Sequence, residues 1–125
     1  MQPAFLSTLQ VRLHDSTWCE TIWELVAPLR YRTMVRGKIE LIEVPTGFPT
    51  DFASIPRVPI FWWLTRGIMQ RPAVIHDWLY TTGEYERETC DLIFLEAGRA
   101  ESVNIALRGG MYAAVRMFGW TKYNK

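Results

Sequence analysis

Six of the chain's seven prolines fall between residues 28 and 72: Pro28, Pro45, Pro49, Pro56, Pro59 and Pro72. That spacing argues against a long helix anywhere before residue 72. Each proline removes a backbone donor and clashes with the preceding turn, and the residue before it is pushed towards extended backbone. The N-terminal half is therefore read as strands and loops. "KIELIEVP" alternates charged and apolar residues from Lys38 to Val44, the two-residue period of a half-buried strand. "TIWELVAPLRYRT" (21–33) carries a broken version of that pattern, a shorter strand is expected from Leu9 to Leu13, and Gly37 suits a hairpin turn.

Beyond the prolines the pattern turns helical. Pro72 is well placed in a first turn, and Ala73 to Tyr80 run as two turns before Gly83 stops them. A second helix is expected from Glu84 to about Ala100, with Leu92, Phe94 and Leu95 supplying apolar faces. A third spans about Val103 to Phe118, with Gly119 as its stop. Gly109-Gly110 inside it costs about 1 kcal/mol per glycine against alanine, unless a close helix contact wants it. The fold class is α+β, a small N-terminal antiparallel β-sheet followed by a three-helix half with an antiparallel helix hairpin. Residues 1–125 read as a single domain, 1–60 mostly strands and Pro-rich loop, 61–125 mostly helical.

Composition removes several function classes. The 125 residues are 49% hydrophobic and 22% charged, and 14 basic against 13 acidic residues leave a formal charge of +1. That is the balance of a folded chain with no global attraction to nucleic acid, and no basic run supplies one locally. "MQPAFLSTLQVRLHD" lacks the basic cluster and sustained apolar run of a signal peptide. "VPIFWWL", from Val58 to Leu64, is the longest apolar cluster, far short of the roughly 20 residues that a membrane-crossing helix needs. Cys19 and Cys90 belong to no Cys-x-x-Cys pair and read as free thiols, with one bridge between them left open. The histidines are His14 and His76, and without His-Glu-x-x-His they argue against zinc. Ser54 lacks the Gly-x-Ser-x-Gly elbow and reads as a turn or cap rather than a nucleophile.

The chemistry concentrates in "RPAVIHDWLYTTG", residues 71–83. Residues four apart share a helix face, so His76 and Tyr80 point the same way and Asp77 is rotated by about 100°. If "TTGEY" joins antiparallel helices, positions equidistant from the Gly83–Glu84 bond come opposite one another. His76 is the eighth residue back and Asp91 the eighth forward, so these two are expected to meet, with Tyr80 donating its hydroxyl to Asp91. A carboxylate facing a histidine fixes its tautomer and stabilises the imidazolium, which makes a general base. Asp77, directed elsewhere, can ligate a hard cation together with Asp51 in the loop "GFPTDFASIP". The bland alternative is a buried polar network of His76, Asp77, Tyr80 and Asp91 that only specifies the core. A working site needs a cleft reaching His76 and a cation between Asp77 and the Asp51 loop; a structural network is sealed and metal-free.

Taken together, "GFPTDFASIPR", "AVIHDWLY", the "R…CDLIF" stretch and "MYAAVRMFG" resemble a family of short proteins, mostly from tailed phages and prophages, known as domain of unknown function 1353. The resemblance covers roughly residues 35 to 120. It implies a phage origin, a place in the virion or the host cytoplasm and other virion proteins as partners, but no activity. The order of an aspartate loop, His-Asp-x-x-Tyr and Arg-x-x-x-Asp-x-x-Phe is also similar to the small calcium-dependent secreted phospholipases of bacteria and fungi. That similarity implies His76 as base, Asp91 orienting it, and Ca²⁺ held by Asp77 and the Asp51 loop, with Arg87 and Phe94 matching the flanking pattern. Water would attack an ester carbonyl polarised by the cation, and a phospholipid or membrane surface would be the partner. "IPRVPIFWWLTRG" would then be interfacial, with Trp62 and Trp63 at headgroup level and Arg57 and Arg66 near phosphates. Its other reading is core and interface packing.

The chain departs from those phospholipases in three ways. It has at most one disulfide, it carries Pro72-Ala73-Val74-Ile75 where a half-cystine usually precedes the histidine, and its N-terminal strands have no counterpart there. The rival to an enzyme is a virion structural or assembly component, or a host-interaction protein, in which the His-Asp-Tyr network is structural.

Overall fold

The computed structural model describes residues 2–16, 21–50, 69–118 and 123. Within them, strands β1 (Ala4–Phe5), β2 (Val11–Ser16), β3 (Thr21–Leu25), β4 (Leu29–Thr33), β5 (Glu40–Val44) and β6 (Pro49–Thr50) precede helices α1 (Gln70–Thr82), α2 (Arg87–Ala100) and α3 (Ile105–Phe118). The class is α+β. The expected single sheet is corrected to two antiparallel sheets of three strands, ordered β1-β4-β5 and β2-β3-β6. The division falls inside "TIWELVAPLRYRT", where the alternation breaks at Val26–Pro28. There the N–H groups of Leu25 and Val26 turn to Phe48 O and Gln10 O, and Pro28 has no N–H to extend a ladder. The two halves of the stretch therefore join different sheets.

β4 and β5 form the hairpin expected around Gly37, paired from Leu29 with Val44 to Thr33 with Glu40. Gly37 sits at φ 78, in the left-handed region that glycine enters without strain. Leu29, Tyr31 and Thr33 point inward while Arg30 points out, and Ile42 and Val44 point inward while Leu41 and Glu43 point out. The two-residue period thus delivers one buried face to the helices.

α1 begins at Gln70 and ends at Gly83, whose φ of 68 lets its N–H close on Leu79 O at 3.0 Å. α2 starts at Arg87 rather than Glu84, because Gly83–Glu86 is spent on the turn between the helices. α3 starts at Ile105 rather than Val103. Asn104 caps it, its Oδ1 accepting from Ala106 N–H at 2.8 Å, and Val103 N–H instead bonds Gly98 O.

The core is shared. Leu29, Tyr31 and Val44 of the sheet pack with Ile75 and Leu79 of α1 and Ile93 of α2. A second cluster joins Ala73 of α1 and Phe94 of α2 to Met111 and Val115 of α3. Glu96 of α2 bolts this layer to β4: the Tyr31 hydroxyl and Thr33 Oγ1 each donate to its Oε1 at 2.7 Å, and Met34 N–H donates to Oε2 at 3.1 Å. Gly98 is fixed by close approach, since a Cβ there would lie 2.8 Å from Met69 Sδ. Cys90 is free and buried, and burial pushes its thiol up to about 12. Among the described residues no helix is long and apolar enough to cross a membrane.

Candidate functional site

The turn at Gly83–Glu86 folds α2 back on α1, and the two helices place His76 against Asp91 as the counting predicts. His76 Nε2 lies 2.7 Å from Asp91 Oδ1, and the Tyr80 hydroxyl donates to the same oxygen at 2.5 Å. Around them the His76 ring meets Tyr80 and Phe94, with centroids 4.0 and 4.9 Å away. The three hydrogen-bonded side chains stand on helices, whose packing holds rotamers tightly.

A further partner escapes sequence reasoning. Arg116, in the last turn of α3, donates from Nη1 to Asp91 Oδ2 at 2.9 Å. A basic residue in a last helical turn reads as a generic dipole partner, so nothing marks it in advance. Arg87, matched above only as a flanking position, reaches the other way. Its Nη2 donates to Val115 O at 2.8 Å and to Arg116 O. α2 and α3 thus clasp one another through two arginines, one from each.

The electrostatics follow from burial. His76 and Asp91 both have 0% relative exposure. For Asp91, burial alone raises the pKa, but the donors His76, Tyr80 and Arg116 outweigh it and hold the carboxyl below its usual range. For His76, burial dominates and lowers the pKa, against the pull of Asp91 and with a further push from Arg87. The ring is therefore neutral at pH 7. Tyr80 stays protonated, because burial and then the Asp91 carboxylate raise its pKa.

A neutral imidazole has one N–H, and an ionised carboxylate can only accept. The proton consequently sits on Nε2, donated to Asp91, and Nδ1 carries a bare lone pair. Nδ1 is buried and has no hydrogen-bond partner among the described residues. Leaving such an atom unmatched costs about 1–3 kcal/mol. Among the described residues, Arg87 Nε is the other buried side-chain atom in this condition.

Asp77 lies rotated from this cluster, as predicted, and is half-buried. Its Oδ2 accepts from the Thr50 hydroxyl at 2.6 Å, and Thr50 is the residue before Asp51 in the chain. A carboxylate in this position suits a hard cation by donor type, although no group of three metal-ligating side chains occurs among the described residues. Asp51 itself, Ser54, Arg57, Trp62, Trp63, Arg66 and Cys19 lie outside the described residues. His14 sits at the bulge in β2, its Nδ1 3.8 Å from Glu24 Oε1.

No curated protein and no solved structure matches the chain. A family model described as "Protein of unknown function (DUF1353)" matches residues 23–115, a span that holds His76, Asp77, Tyr80 and Asp91. That is well over half of the chain, and the chain belongs to the DUF1353 family.

Proposed function

We propose that the protein hydrolyses ester bonds of phospholipids by water attack, with His76 as the base. The observation that carries this reading is the division of labour between the two ring nitrogens. Nε2 is fixed by Asp91, while Nδ1 is buried and unmatched among the described residues. A polar network retained only to specify packing gains from satisfying every member. One that leaves its single bare lone pair unmatched among the described residues is poised to accept a proton.

The chemistry follows from that geometry. His76 Nδ1 takes a proton from water, whose oxygen attacks the ester carbonyl; the proton then passes to the leaving alcohol oxygen. Asp91 stays ionised and stabilises the imidazolium between the two transfers. Tyr80 and Arg116 hold Asp91 in register. A calcium ion held by Asp77 and the Asp51 loop would supply Lewis-acid polarisation of the carbonyl. The Thr50–Asp77 hydrogen bond supports that pairing, because it anchors the start of the Asp51 loop at Asp77. The segment with Trp62, Trp63, Arg57 and Arg66 has the composition to meet a phospholipid surface.

The second reading is a phage virion component in which the cluster is structural. The complete burial of His76 and Asp91 favours it. Fatty-acid release from mixed phospholipid vesicles, measured with Ca²⁺ and with chelator, separates the two. Calcium-dependent release by the wild type that vanishes in His76→Ala is expected. Absence of release from folded wild-type protein would move the assignment to the virion component.

A further inference from the structure

Two arginines of this fold lie over aromatic rings and pair with a glutamate, and they do so differently. Arg36 lies 4.3 Å from the centre of the Tyr85 ring and engages both oxygens of Glu40, from Nε at 3.0 Å and from Nη2 at 2.6 Å. Arg71, in the first turn of α1, lies 4.6 Å from the centre of the Phe5 ring. Its Nε donates to Glu101 Oε1 and its Nη1 to Ser7 O at 3.1 Å. Among the described residues, Arg71 Nη2 and Glu101 Oε2 have no partner. The two side chains line a cleft of about 440 Å³ together with Thr8, Leu9, Val11 and Gln70.

We propose that this cleft binds a free α-amino acid with an aliphatic side chain. A cation and an anion side by side leave the cleft with no net charge, and a ligand that matches both is itself a zwitterion. Its carboxylate accepts from Arg71 Nη2 and its ammonium group donates to Glu101 Oε2, two charge-assisted hydrogen bonds. Thr8 and Gln70 are exposed and supply uncharged donors for the second carboxylate oxygen. Leu9 and Val11 are partly buried against the main core and give the aliphatic side chain an apolar wall. A ligand with only one of the two charges leaves one member of the pair unmatched.

The pair is fixed before a ligand arrives. Phe5, Ser7 O and Glu101 hold the Arg71 guanidinium on three sides, and Glu101 N–H closes on Ala97 O at 3.1 Å at the end of α2. Binding therefore orders little that is not already ordered. The Arg71 and Glu101 side chains are 34% and 17% exposed, within reach of solvent yet sheltered. The volume falls in the range of small-ligand pockets, roughly 300–1,000 Å³. None of the six lining residues belongs to the His76–Asp91 cluster, so the proposal stands apart from the hydrolase reading.

The test is a titration of the ¹⁵N-labelled protein with L-leucine, followed at the Arg71 Nε–H and at the amides of Thr8, Leu9 and Val11. Isovalerate, which lacks the ammonium group, and isopentylamine, which lacks the carboxylate, are titrated in parallel. Leucine should give saturable shifts at these positions. Each truncated analogue should bind the wild type about tenfold more weakly or worse, and so should leucine on Glu101→Gln, because each loses one charge-assisted bond. Arg36 Nε–H, whose pair with Glu40 is complete, should not move. If Glu101→Gln fails to fold, the comparison of the three ligands on the wild type decides. No saturable shift up to the solubility limit of leucine overturns the proposal, as does isovalerate or isopentylamine binding as well as leucine, or shifts confined to residues outside the cleft. No vesicle, calcium or ester enters the titration, so its outcome is independent of any activity at His76.

Discussion

Two of the three carboxylates on helix α2, Asp91 and Glu96, lie little more than one turn apart and end differently. Glu96 faces β4 and takes the Tyr31 hydroxyl, the Thr33 hydroxyl and the Met34 N–H. Each donor there is an ordinary neutral group, and the joint leaves no atom waiting. Asp91 faces α1 and α3 and takes His76, Tyr80 and Arg116. Here the carboxylate is equally satisfied, yet the histidine that it holds keeps a buried nitrogen unmatched among the described residues. A closed joint is what stability asks for. The unmatched nitrogen is a cost that packing does not explain, and it is the ground for reading one carboxylate as architecture and the other as part of a site.

The sharpest way to break this contrast is to neutralise each carboxylate in turn. Asp91→Asn leaves the buried ring and the arginine without their anion, and should cost about 3 kcal/mol in urea unfolding. Glu96→Gln keeps an acceptor for its neutral donors and should cost about 1–2 kcal/mol. Equal losses would erase the distinction. Tyr80→Phe removes one of three donors from Asp91 and should cost about 1 kcal/mol by the same assay, with a clear fall in any ester hydrolysis.

Acid sharpens the contrast further. The His76 pKa is lower in the folded chain than its ordinary 6.5, so below that pH the unfolded chain binds a proton that the native state refuses. Stability is therefore complete above pH 6.5 and lost progressively below it, as the pH falls towards the folded value. Asp91, also lowered from its ordinary 3.8, adds a second loss at more acid pH. His76→Gln should flatten the first step and leave the second. An unchanged slope between pH 7 and 5 in that variant would show that the ring's burial does not govern this region. The smallest expected effect is a gain. Gly109→Ala adds a Cβ that meets nothing within 4 Å, and should stabilise α3 by about 0.5–1 kcal/mol in thermal or urea unfolding.

How much of this could be read in advance depended on whether the geometry was local. His76, Tyr80 and Asp91 came together as expected because helical spacing and a short turn determine such meetings within about twenty residues. The hairpin around Gly37 was legible for the same reason. The split into two sheets was not, because strands as short as β1 and β6 carry no period of their own, and their partners lie tens of residues away. Arg116 was invisible because the rotation of α3 about its axis is set by packing against α2, not by any pattern within α3. The Thr50–Asp77 contact likewise joins the end of the β half to α1 across a span that no periodicity bridges.

The most direct measurement uses the same replacement at the two nodes. Fatty-acid release from calcium-containing phospholipid vesicles would be compared for wild type, His76→Gln and Glu96→Gln at matched folded fraction. Release by wild type and Glu96→Gln at similar rates, with loss to the uncatalysed level in His76→Gln, is the expected result. Release that survives in His76→Gln, or that is absent from the folded wild type, would contradict the assignment of the unmatched imidazole nitrogen as a base.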